Sequence, residues 1–177
     1  MASTTILREF ERIRQALARA GIPVHIPWSL SLRDCGEIVI TADALPDRPL
    51  DYQDLICTSF HYADGRVGAA SSDLPLHRAI YGSTRCRAVL VCRPPHGMTL
   101  ACVRDALVAG GWSVPVVDPA RLPAGRSVEA EVATLITARP VVAVRTGAFV
   151  VATHDPASCL AAIEAVEAAS VRELTPR

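Results

Sequence analysis

The sequence predicts an α/β fold of the α+β type, in which helices sandwich a largely antiparallel central sheet. Three observations lead there. Apolar runs come in pairs joined by short turns, the pattern of hairpins. Amphipathic segments of helical period separate those pairs. Few strand–helix–strand successions read as parallel crossovers, so a doubly wound sheet is not indicated. The chain has 177 residues and is most simply one domain, residues 1–177, since a domain takes roughly 100–200 residues.

The elements follow in order. TTILREFERIRQALARAG places Ile6, Phe10, Ile13 and Leu17 on one helical face and stops at Gly21. WSLSLRDCGEIVITADAL reads as two strands around Asp34-Cys35-Gly36, with Ser29, Ser31 and Arg33 alternating against Leu30 and Leu32. DLICTSFHYADGRVGA repeats the design as a strand, an Ala63-Asp64-Gly65 turn and a short return strand. A helix starts at Ser71 or Ser72 and runs through LPLHRAIYGS, with Pro75 in its first turn. CRAVLVC is a strand, and GMTLACVRDALVAGG a helix ended by Gly110-Gly111. A loop over 118–127 leads to the helix SVEAEVATLITARP. VVAVRTGAFVVATH is a strand pair across Thr146-Gly147, and a final helix has Asp155 as its cap and Pro156 at its first position.

Composition excludes several classes of function. Basic and acidic residues number 18 each, so the net charge is zero and neither nucleic acid nor an anionic membrane is an expected partner. No apolar run nears the ~18 residues that span a bilayer, and the amphipathic start does not read as a signal peptide, so a cytoplasmic protein is expected. The six cysteines form no C-x-x-C and read as reduced core residues. All 18 basic residues are arginine. Without lysine, Schiff-base chemistry is excluded.

Three phrases carry a resemblance. SSDLPLHRAIY, Ser71 to Tyr81, is similar to a Ser-Ser-Glu-x-x-x-His phrase, and RAVLVCRPPHGMTLA sits where a strand ends in His-x-His-Pro-Pro. VVAVRTGAFVVATHDPASCLAAIEAVEAA resembles an Asn-His-Gly strand and closing helix. Together they resemble the class II aldolase/adducin family, which includes fuculose-phosphate aldolase and ribulose-phosphate 4-epimerase, from Trp28 to about Leu174. The resemblance implies a divalent metal, usually zinc, held by three histidines, two of them at i and i+2 on one strand. Here those positions are Val91, Arg93 and Thr146. Valine offers no lone pair and a guanidinium is permanently cationic, so no zinc and no other cofactor is expected. The family's phosphate grip is equally altered. Its Gly-Asn-x-Ser turn becomes Trp28-Ser29-Leu30-Ser31, a second phrase becomes Asp43-Ala44, and only Ser71 and Ser72 persist.

Asp73 stands at the position of the family's acid/base glutamate and is the candidate catalytic residue. Arg93, Arg145, Ser71, Ser72, Ser29 and Thr146 are candidate ligand-binding residues. Three readings of Arg93 and Asp73 stay open: a structural salt bridge filling the vacated metal site, capture of a small carboxylate by Arg93 with Arg145, or Asp73 as a metal-free general base. A rebuilt metal site from Cys92 and His96 with His77 or Asp73 is disfavoured, because Pro94-Pro95 need not bring the side chains together. His77 reads as a satisfied buried histidine. The expectation is a non-catalytic member with an assembly or small-anion-binding role. The alternative is a metal-independent lyase or isomerase acting on a small carbonyl acid, with Asp73 as acid/base and Arg93 as anchor. The resemblance also implies a homotetramer, to which the stripe Leu160, Ile163 and Val166 could contribute.

Overall fold

The computed structural model describes residues 3–34, 36–43, 45–60 and 64–175. Cys35, Ala44, His61 and Ala63, on which parts of the sequence reading fall, lie outside the described residues. The chain opens with α1 (Thr4–Arg19), whose first turn is capped by the Ser3 hydroxyl accepting the Ile6 N–H at 3.3 Å. Its apolar face buries Phe10, Ile13, Ala16 and Leu17. The expected hairpin follows as β1 (Ser29–Asp34) and β2 (Glu37–Thr41), and β3 (Leu55–Ser59) pairs with β2. Next come α2 (Leu74–Ser83), β4 (Ala88–Cys92) and α3 (Pro95–Val103). The chain continues through β5 (Ala106–Ala109), β6 (Trp112–Val117), α4 (Val128–Ile136), β7 (Val141–Val144), β8 (Phe149–Thr153) and α5 (Pro156–Leu174).

One eight-stranded sheet results, in the order β3-β2-β1-β4-β8-β7-β6-β5. Every pair is antiparallel except β6 with β7, so the largely antiparallel sheet read from the sequence is observed. The alternation of side chains along each strand sorts the core into two layers. On one face Leu30, Leu90, Phe149 and Val151 pack with residues of α1, α3 and α5. On the other, Ile38, Ile40, Val89, Val91 and Val150 pack with residues of α2 and α4.

Two expectations are corrected. Among the described residues no return strand follows β3. Residues Val67–Ala69 form a 3-10 turn, and a single bridge joins Ala70 to Ala42. The helix expected to run to Gly110-Gly111 ends at Val103, and its second half is β5 and the turn into β6. Gly110 and Gly111 have φ of +57° and +84°, the two successive left-handed residues that a tight hairpin turn needs. The apolar spacing of ALVA fitted a helix as well as a strand, and only Leu107 and Ala109 face inward.

Candidate functional site

Strand register sets a row of side chains beneath α2, of which Val91 and Val150 reach the site. Ser29 lies opposite Val91 on β4, and Val91 opposite Val150 on β8, so the three side chains form a row on the α2–α4 face. Above this row α2 begins. Asp73 is its N-cap residue, one or two positions later than expected, but its carboxylate does not cap the helix. Instead Asp73 Oδ2 accepts the Ser29 hydroxyl at 2.8 Å. A cleft of about 190 Å³ lies beside it, with Asp73, Ser72, Arg93 and Glu129 around an apolar wall that includes Val91 and Val150.

Behind Asp73 runs a row of buried polar groups. Ser29 Oγ also contacts His77 Nε2 at 2.9 Å, His77 Nδ1 contacts Ser31 Oγ at 2.6 Å, and Ser31 Oγ contacts the Tyr81 hydroxyl at 2.8 Å. All four side chains are buried. Burial pulls His77 down from its ordinary 6.5 to about 3, so its imidazole is neutral, and burial raises the Tyr81 hydroxyl far above its usual range. His77 is the satisfied buried histidine expected from the sequence, but the row it joins is not among the expectations. Its signal was present: Asp73, His77 and Tyr81 recur at i, i+4 and i+8 on one helical face, opposite Ser29 and Ser31 at i and i+2 on a strand.

The remaining candidates divide. Ser71 is buried, and its hydroxyl accepts the Asp73 N–H at 3.2 Å. The Ser72 N–H donates to Asp43 Oδ1 at 2.8 Å, so an internal carboxylate takes the helix-start donor that a bound phosphate would need. Trp28 does not fill the cleft. It is 3% exposed and packs with the α1–α5 layer, leaving its indole N–H without a partner among the described residues.

Three expectations about Arg93, Arg145 and Thr146 are corrected. Arg93 does not pair with Asp73; its Nη1 donates to the Pro27 carbonyl, and its other N–H groups have no partner among the described residues. Arg145 turns away from the cleft. Its Nη2 lies 2.6 Å from Asp105 and its Nε 3.0 Å from Asp118, while Nη1 donates to the carbonyls of Ala101 and Cys102 at the end of α3. A guanidinium at a helix C-terminus satisfies free carbonyls and complements the helix dipole, which is why it is held there. Thr146 sits exposed in the β7–β8 turn at φ +58°, its hydroxyl donating to the Arg145 carbonyl at 2.7 Å.

The donor set does not fit zinc. Val91 and Arg93 offer no ligand, Thr146 points into its own turn, and among the described residues no three His, Cys, Asp or Glu side chains gather into a metal-holding group. Cys92 is buried on the opposite face of β4. His96 Nδ1 contacts Glu167 at 2.6 Å, and that carboxylate also accepts the N–H groups of His96 and Gly97 at the start of α3. Among the described residues no helix is long and apolar enough to cross a membrane.

Residues 9–172 match the family described as Class II Aldolase and Adducin N-terminal domain. No curated relative matches the sequence. Among solved structures the chain is similar to L-fuculose-1-phosphate aldolase from Thermus thermophilus, with a TM-score of 0.84 at 17% identity over 97% of this chain and 94% of that one. It is also similar to YgbL from Escherichia coli, with a TM-score of 0.78 at 19% identity over 98% and 91%. An aldolase II superfamily protein from Pseudomonas syringae gives a TM-score of 0.74 at 14% identity over 98% and 76%. At these identities the likeness is one of fold.

Proposed function

Because the chain belongs to the class II aldolase and adducin family, its departures from the family's metal chemistry define its role, and we propose a zinc-independent, non-catalytic member that binds a small carboxylate or carbonyl anion. The observation that carries this reading is a cleft with Arg93 and Asp73 on an apolar floor, and Val91 where a ligand side chain would have to stand. The guanidinium N–H groups that Pro27 does not occupy are suited to bidentate capture of a carboxylate. A sugar phosphate is the poorer ligand, since Asp43 already holds the Ser72 N–H and would repel a dianion. Trp28 lies outside the cleft, which favours ligand binding over a purely structural filling.

One observation favours a second reading. Asp73 Oδ1 accepts no hydrogen bond from the described residues, while Oδ2 is held by Ser29. A carboxylate so placed can take a proton from a ligand bound at Arg93, as a metal-independent lyase or isomerase of a small carbonyl acid requires. As in the resemblance, the protein is proposed to be a cytoplasmic homotetramer.

Calorimetric titration of the purified protein with acetate, glycolate, pyruvate and inorganic phosphate tests the reading. Carboxylates are expected to bind, phosphate more weakly, and Arg93→Met to abolish the heat. Equal binding by Arg93→Met would overturn it. Turnover of a carbonyl acid without added metal, lost in Asp73→Asn, would transfer the case to the second reading.

A further inference from the structure

The buried row behind Asp73 has a direction, and the direction constrains the ligand. A serine hydroxyl carries one proton, and that of Ser29 goes to Asp73 Oδ2. Ser29 Oγ can therefore only accept from His77, which places the imidazole proton on Nε2. A neutral imidazole has one N–H, so Nδ1 is an acceptor and takes the Ser31 proton across 2.6 Å. With its proton given away, Ser31 Oγ accepts from the Tyr81 hydroxyl at 2.8 Å. The alternative acceptor for Tyr81, the Arg87 carbonyl, lies 3.4 Å away, and choosing it would leave two lone pairs facing each other between Tyr81 and Ser31. Every proton in the chain thus points towards Asp73.

We infer that Ser29, His77, Ser31 and Tyr81 form a one-way hydrogen-bond chain that fixes Asp73 as an acceptor at the cleft, and that the ligand is a small carboxylate that also bears a donor, a hydroxyl or ammonium group. Bonds aligned head to tail in a dry interior polarise one another, so the chain holds Oδ2 on Ser29 of β1 and leaves Oδ1, which accepts from none of the described residues, as the free acceptor of a residue that lines the cleft. Arg93 can only donate and Asp73 there can only accept. Glu129, also at the cleft, adds a second acceptor. A complementary ligand must bring an acceptor end to Arg93 and a donor end to Asp73, with a short apolar body against Val91 and Val150. Ser29, His77, Ser31 and Tyr81 act as positioning residues, since none lines the cleft.

The ligand class rests on the carboxylate-binding reading, and the experiment separates the two. Calorimetry compares glycolate with acetate, which differ by the one hydroxyl. Wild-type protein is expected to bind glycolate about tenfold more tightly, as a hydrogen bond to a charged group implies. Arg93→Met is expected to lose both ligands. Ser29→Ala is expected to shrink the glycolate preference to within about twofold, and Ser29→Thr, which keeps the hydroxyl, to restore it. Equal binding of the two acids, or a preference that persists in Ser29→Ala, would overturn the inference while leaving the carboxylate site intact. Failure of both acids to bind would overturn the reading beneath it and the ligand class with it. The chain is read independently in wild-type protein from the imidazole nitrogens of His77 by 15N NMR: a proton on Nε2 is expected, and one on Nδ1 refutes the direction even if Ser29→Ala fails to fold.

Discussion

Acidification from pH 7 to pH 5 isolates the cost of burying His77. Folding holds this imidazole neutral, lowering its pKa from 6.5 to about 3 through burial. Between those values the unfolded chain binds the proton and the folded chain does not, so stability rises with pH across the window and is lost as pH falls from about 6.5 towards 3. At pH 5 the unfolded imidazole is about 1.5 units below its midpoint, which at about 1.4 kcal/mol per unit removes about 2 kcal/mol. The carboxylates with lowered pKa act below pH 5, outside the interval compared. Hydrogen bonding and charge from Arg14 hold Glu11 down to about 2 from 4.5, a contribution present above 4.5 and lost as pH falls from there towards 2. Backbone and side-chain hydrogen bonds from Ser158 lower Asp155, which follows the same sign. Urea unfolding followed by circular dichroism is the assay, and with a slope of about 2 kcal/mol/M the midpoint is expected to fall by about 1 M. His77→Gln supplies the reference: it is less stable at pH 7, but its midpoint should move little between pH 7 and pH 5. Equal losses in wild type and His77→Gln would show that the histidine is not held neutral and would refute the buried chain.

Arg93 is hydrogen-bonded to one carbonyl and unpaired with Asp73, so Arg93→Met is expected to cost about 1 kcal/mol or less in denaturant melts while removing carboxylate-induced stabilisation. A loss of 3 kcal/mol or more, rescued by adding Asp73→Leu, would instead reveal a buried ion pair of the kind that costs ~3–5 kcal/mol to break. Elemental analysis of protein purified without chelator is expected to find well under one zinc per chain; one metal per chain, released by Asp73→Ala, would contradict the misfit of the donor set. Gly110→Ala should destabilise by more than ~1 kcal/mol, because φ is +57° and the added Cβ would lie 2.9 Å from the Trp112 indole nitrogen; an unchanged melting temperature would count against the β5–β6 turn. Light scattering is expected to return a homotetramer, and a mass near the 18.9 kDa of one chain would refute it.

Much of the fold was legible because local patterns agreed with it. The cap at Asp155, the period of α1 and the paired runs on either side of Thr146-Gly147 each specify one structure at short range. The segment after α3 misled because its apolar residues satisfy a helical and a strand period equally, and the choice lay with the sheet edge it joins. At the site, the family resemblance pointed to Asp73 and to Val91, Arg93 and Thr146, whereas the partners of Arg93 and Arg145 could not be read in advance. A guanidinium reaches several ångströms along a flexible stem, so its partner is whichever carbonyl or carboxylate the fold brings near. For Arg145 this was the end of α3 with Asp105 and Asp118, and for Arg93 it was Pro27.

By itself the sequence determined what each position can offer: no lone pair at Val91, a fixed charge at Arg93, a carboxylate at Asp73, and hydroxyls and an imidazole at spacings that share a face. Only the tertiary structure decided which of these groups meet. Register across β1, β4 and β8 set Ser29 beside Val91, and the docking of α2 over that face carried Asp73, His77 and Tyr81 onto Ser29 and Ser31. Hydrogen bonds form only within about 3 Å, a distance that spacing along the chain cannot fix between residues more than forty positions apart.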